Sequence, residues 1–89
     1  MTTSRSRDLL NSMNERIKPL VDSWCDRRCY VALKHILKGW PLPSNLNDSI
    51  GEYLNALKNV RAFAKAEIGA EDAATVDDLI REAEKALRR

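Results

Sequence analysis

Apolar side chains in this chain recur every three or four positions and nowhere alternate with a period of two, so the pattern predicts helices and no strand. Leu10, Met13 and Ile17 mark a short amphipathic helix from about Arg5 to Lys18. Pro19 follows. It lacks a backbone donor and disfavours helical geometry at Lys18, yet no Ser, Thr, Asp or Asn immediately before it offers a cap for a new helix. A sharp break and a kink in one long helix both fit.

From Leu20 to Lys38 the helical pattern is strong. On a wheel of about 100° per residue, Val21, Cys25, Cys29, Ala32 and Ile36 form a central stripe, with Trp24 on one flank and Leu33 and Leu37 on the other. That arc is wider than one neighbouring helix can cover, which predicts a second helix in the middle of a bundle. Gly39 stands where a left-handed terminating residue is favoured, and Pro41 confirms the stop. A third helix starts near Asn47 or Asp48 and should end before Gly69. Its face is Ile50, Tyr53, Leu54, Leu57, Ala64 and Ile68, widened on one flank by Val60 and Phe63. Ala70 to Ala74 reads as a short acidic connection. Thr75 supplies a cap hydroxyl for a last helix whose single stripe is Val76, Leu79, Ile80, Ala83 and Leu87. The fold class is therefore all-α, a small antiparallel bundle of three to four helices in a single domain spanning residues 1–89.

Composition sharpens this in two ways. With 44% hydrophobic and 31% charged residues the chain is a globular sequence, and its 89 residues are enough for one core without a metal or disulfide. Its net charge is only +2, weaker than the basic excess of most nucleic-acid binders. The segment from Thr2 to Asp8 is polar, and no apolar run reaches the length of a signal or a membrane span, so a cytoplasmic address and no membrane partner are expected.

Candidate chemistry is sparse. Cys25 and Cys29 lie one helical turn apart, but His35 falls about 120° around the wheel from Cys29, so the four ligands of a zinc site are lacking and both thiols read as small buried hydrophobic groups. No nucleophile is placed beside His35, and no glycine-rich phosphate loop is present. Catalysis would need a deep pocket around Arg28, His35 and Tyr53. The expectation is no enzyme, no cofactor and no metal.

Three features remain. Trp40-Pro41-Leu42-Pro43-Ser44 is too apolar for an ordinary loop; Trp40 and Leu42 either fold back to seal one end of the bundle or stand out as a stiff docking element. Arg28 falls inside the apolar arc of helix two, where its guanidinium needs a partner or captures an anion. Arg27, Lys34 and Lys38 on helix two, and Lys58, Arg61 and Lys65 on helix three, form basic stripes that would engage phosphates if they lay side by side. The wide arcs of helices two and three exceed what a minimal bundle buries. The leading expectation is thus a non-catalytic protein interaction module, a homodimer or a small adaptor, with Trp40, Leu42, Phe63 and Arg28 as the candidate interface. The alternative is a small nucleic-acid-binding or accessory regulator that uses the two basic stripes, although base-stacking aromatics are not interleaved with them in sequence.

Overall fold

A computed structural model of the chain describes the backbone of residues 2–42 and 47–87, and side chains over 11–42 and 48–87. Five helices follow one another: α1 (Thr2–Asp26), α2 (Tyr30–Ile36), α3 (Asn47–Phe63), α4 (Lys65–Ile68) and α5 (Ala70–Leu87). Their directions follow from which residues meet. Asn14 bonds Leu42 while Asp26 lies four residues before Tyr30, so α1 and α2 are antiparallel. Arg61 pairs with Asp77 and Lys58 with Glu84, so α3 and α5 are antiparallel as well. Trp24 bonds Asp72 and Arg16 pairs with Glu82, which closes the ring between α1 and α5. The molecule is an all-α up-and-down bundle, as the period of the apolar positions requires. Among its described residues the core is entirely apolar apart from one phenol.

Pro19 neither breaks nor ends α1. Its ring and Glu15, whose carbonyl would have been its hydrogen-bond partner, are both exposed, so water can satisfy the freed carbonyl. Met13, Ile17, Leu20, Val21 and Trp24 lie on one buried stripe that crosses the proline, and burying that stripe holds the helix in line. The side chain of Leu10 lies outside the described residues.

The expected single helix from Leu20 to Lys38 is two helices. α1 stops at Asp26, the Arg28 N–H donates to the Cys25 carbonyl at 3.2 Å and the Cys29 N–H to the Trp24 carbonyl at 2.8 Å. Arg28, at φ 59°, is the left-handed residue of this Schellman turn. Cys29 and Trp24 stand at the two positions where such a turn customarily makes an apolar contact, and both are buried. The over-wide arc was therefore two ordinary stripes on two helices. Arg28 is exposed, so it occupies no apolar arc, and Cys25, turned off the α1 stripe, is exposed too. Because a side chain at positive φ is strained and glycine is not, Arg28→Gly should raise stability by about 0.5–1 kcal/mol. Urea denaturation measures it, and a loss of stability would mean that Arg28 holds more than a turn.

No local side chain caps the seven-residue α2. Its free amides are satisfied from a distance instead: the Glu67 carboxylate accepts the Ala32 N–H at 2.9 Å and the Val31 N–H at 3.4 Å. A kink at Ala64 separates α3 from the single turn of α4 that carries Glu67. Gly69, at φ 91°, is the whole joint before α5. The expected connection over Ala70 to Ala74 is thus helical, and Glu71 and Asp72 meet the positive end of the α5 dipole. Thr75 caps nothing; its hydroxyl donates to the Glu71 carbonyl at 3.3 Å within the helix.

Tyr53 is the polar exception in the core. It is 1% exposed, and its hydroxyl has no partner among the described residues. Burial pushes the phenol from the usual 10 up to about 12, against the lowering effect of Arg16. The unfolded chain ionises this group first, so its contribution to stability is intact below pH 10 and is lost as pH rises towards 12. Tyr53→Phe should raise stability at neutral pH by about 1 kcal/mol, because it removes a desolvated hydroxyl. It should also flatten the alkaline loss. Denaturant titrations of both proteins at neutral and alkaline pH check the two effects together.

Candidate interaction surface

The Trp40 connection folds inward. The Leu42 N–H donates to Asn14 Oδ1 at 2.8 Å, Asn14 Nδ2 donates to the Leu42 carbonyl at 3.3 Å, and Trp40 Nε1 donates to the Asn14 carbonyl at 3.2 Å. One asparagine side chain thus offers the loop the donor and acceptor that a strand partner would. Leu42 is 4% exposed, Trp40 packs half-buried on the core, and the Trp40–Pro41 peptide is cis. These two residues seal the end of the bundle and present no free docking surface. Pro43 and Ser44 lie outside the described residues.

The two basic stripes do not form one continuous positive surface. The end of α1 at Asp26 parts Arg27 from Lys34 and Lys38, and Arg27 instead pairs with Asp72, which also accepts from Trp24 Nε1 at 3.0 Å. On α3, Arg61 binds Asp77 at 2.8 Å and Lys58 lies 3.8 Å from Glu84. The antiparallel packing of α5 lays its carboxylates along the α3 stripe. Lys34, Lys38 and Lys65 form no ion pair with a described residue.

What the fold leaves exposed is the outer surface of α2. The large hydrophobic residues standing in solvent, among those described, are Tyr30 (67% exposed), Val31 (39%), Leu37 (56%) and Phe63 (67%). Placed on the wheel of α2 and the helical Leu37 beyond it, Lys34 and Lys38 occupy the middle of the solvent arc. Tyr30 and Leu37 flank them on one side. Val31 and His35 flank them on the other, where the His35 ring stacks on Phe63 with centroids 5.4 Å apart. No acidic residue occurs from Arg27 to Leu42. Glu67 is engaged by the α2 amides and Asp72 by Arg27 and Trp24; Glu52, whose backbone packs on Gly39, is exposed and forms no ion pair with a described residue. Of the four residues expected at an interface, Phe63 and Arg28 are exposed while Trp40 and Leu42 are not. Tyr30, Val31 and Leu37 were missed because the wheel of an unbroken Leu20 to Lys38 helix assigns their azimuths wrongly. The one signal available was the acid-free run itself.

Groups with chemical potential are kept apart. Cys25 and Cys29 lie on either side of the α1 turn, both free, one exposed and one buried. Burial pushes the Cys29 thiol up, Arg27 opposes this, and Glu67 and Asp72 add to it; a protonated thiol is a poor nucleophile and a poor metal ligand. No cluster of three His, Cys, Asp or Glu able to hold a metal occurs among the described residues. Arg28 stands in solvent at the end of α1 while Tyr53 is sealed in the core, so the trio with His35 lines no common pocket. A broad, open concavity follows α3, lined by Asp48, Gly51, Glu52, Leu54, Asn55 and Lys58. Comparison with protein-family models, curated proteins and solved structures finds no match to this chain. Among the described residues no helix is long and apolar enough to cross a membrane.

Proposed function

We propose that the protein is a non-catalytic helical interaction module that binds another protein through the outer surface of α2 and the adjoining Phe63. The observation that carries this reading is the gathering of Tyr30, Val31, Leu37 and Phe63 in solvent around one short helix, in a chain whose other large apolar side chains, where described, are packed. Between a homodimer and an adaptor, charge favours the adaptor. A two-fold dimer that buries this surface sets Lys34 and Lys38 of one copy against the same residues of the other. Nucleic-acid binding is the weaker reading, since Arg27, Lys58 and Arg61 are already paired with carboxylates.

Site-specific photocrosslinking in the cells that produce the chain tests the proposal. A photoreactive phenylalanine analogue at position 63 should give discrete protein adducts that the same analogue at exposed Arg81, on α5, does not give. Adducts of twice the chain mass alone would establish self-association. Nuclease-sensitive adducts would establish the nucleic-acid reading, and equal labelling from both positions would remove the α2 surface as a docking face.

A further inference from the structure

From the charge left over on α2 we infer that the partner segment is acidic and amphipathic, with carboxylates seated over Lys34 and Lys38 and apolar side chains on the Tyr30–Leu37 and Val31–Phe63 flanks. This rests on the α2 surface being the docking face and adds the chemistry of what docks there. Five cations of the bundle are matched by described carboxylates: Arg16 with Glu82, Arg27 with Asp72, Lys58 with Glu84, Arg61 with Asp77 and Arg81 with Asp78. Lys34 and Lys38, like Lys18, Arg28, Lys65 and Lys85, have no such partner among the described residues; what sets the α2 lysines apart is that they stand among exposed apolar residues, where a bound neutral segment would strip water from two ammonium groups and give nothing back. A segment that brings carboxylates to that line removes the cost.

The spacing says more about its shape. Lys34 lies in the last turn of α2 and Lys38 four residues on, in the tighter turn that follows Leu37, so carboxylates on neighbouring turns of a partner helix can reach both. A helix with a narrow acidic line between two apolar rows fits this surface, as amphipathic helices fit grooves elsewhere. A second copy fits poorly. Among the described residues, the outward stripe of α1 carries Glu15, Asp22 and Asp26, but the other exposed residues around it are Asn11, Ser12, Arg16, Lys18, Pro19 and Cys25, none of which supplies a large apolar flank. Single-stranded nucleic acid could stack on the exposed Tyr30 and Phe63 rings, but it fits less well because Arg27, Lys58 and Arg61, which would have extended the positive line, are already paired with carboxylates.

Selection of random short peptides displayed against the immobilised full chain tests the inference without presuming a sequence. Enriched peptides should be net negative and carry several large apolar residues. Their synthetic forms should bind Lys34→Glu/Lys38→Glu at least about tenfold more weakly than wild type, and binding should weaken as salt rises. Phe63→Ser should weaken them too, and both variants, altered only at exposed positions, should keep the wild-type circular dichroism spectrum. Enrichment without a negative bias, still lost in Phe63→Ser, overturns the acidic partner and leaves the docking face standing. Peptides indifferent to both variants, or no enrichment at all, overturn both. Displacement of the peptides by an equally long single-stranded oligonucleotide that binds more tightly assigns the surface to nucleic acid instead.

Discussion

Replacing Gly39 with alanine is expected to cost about 3 kcal/mol, near the upper end of what overpacking a core costs. The added Cβ would lie 2.5 Å from the Glu52 carbonyl oxygen, 2.7 Å from the Glu52 carbonyl carbon and 2.8 Å from Tyr53 Cα. All three are backbone atoms of α3, so no rotamer change relieves the clash. The end of α2 would have to lift away from α3, taking Trp40 and Leu42 with it. Gly39 was expected to serve by a left-handed conformation; it serves by having no side chain, and its φ is not positive. Since a domain of this size is stable by roughly 4–13 kcal/mol, the variant should lose a large share of its stability in urea denaturation. Gly51→Ala is the matched control. Nothing lies within 4 Å of the Cβ it would add, in the body of α3, so it should gain up to about 1 kcal/mol from helix propensity. Equal effects of the two substitutions would show that the α2–α3 approach is looser than described.

The second large effect is at Trp24. Trp24→Ala should cost about 4 kcal/mol, from lost apolar burial and the cavity left by a side chain that is 0% exposed. Trp24→Phe should cost about 1–2 kcal/mol, because a ring remains while the bond from Nε1 to Asp72 is lost. The indole sits where α1 ends, beside the Arg27–Asp72 pair and the 3.4 Å bond from Arg27 to the Ile68 carbonyl. Its loss should therefore loosen the α1 turn and the start of α5 together. Amide hydrogen exchange reads this out: in the phenylalanine variant, protection should fall first around Cys29 and Ala73. Protection falling uniformly would show that Trp24 is generic filler with no role in that corner.

Both effects bear on the proposed docking face, because α2 has little stability of its own. It has seven residues, a cap borrowed from Glu67, a close backbone approach at Gly39 and a Schellman turn anchored on Trp24. Tyr30, Lys34 and Leu37 are presented as one surface only while those remote contacts hold. Partner binding should accordingly fall in Gly39→Ala even though that residue touches no ligand.

The sequence by itself determined the class of the molecule and most of its core. Helical periodicity is a local property, and it identified the buried faces Met13–Ile17, Ile50–Ala64 and Val76–Ala83 without knowledge of their neighbours. It also identified the Trp40 connection as too apolar to be idle, though whether that segment turned in or out depended on Asn14, 28 residues away from Leu42. Tertiary structure alone decided where α1 ends. The left-handed position at Arg28 carries no glycine to mark it, and the turn is held by the burial of Trp24 and Cys29 on either side of it, which offsets the strain. That one turn reassigns every azimuth from Cys29 to Lys38. It is the reason that Tyr30, Val31 and Leu37 face solvent around two lysines that form no ion pair with a described residue. The packing of α5 then decided which of the basic residues were already matched, a question of distance between helices that no reading of a single helix answers.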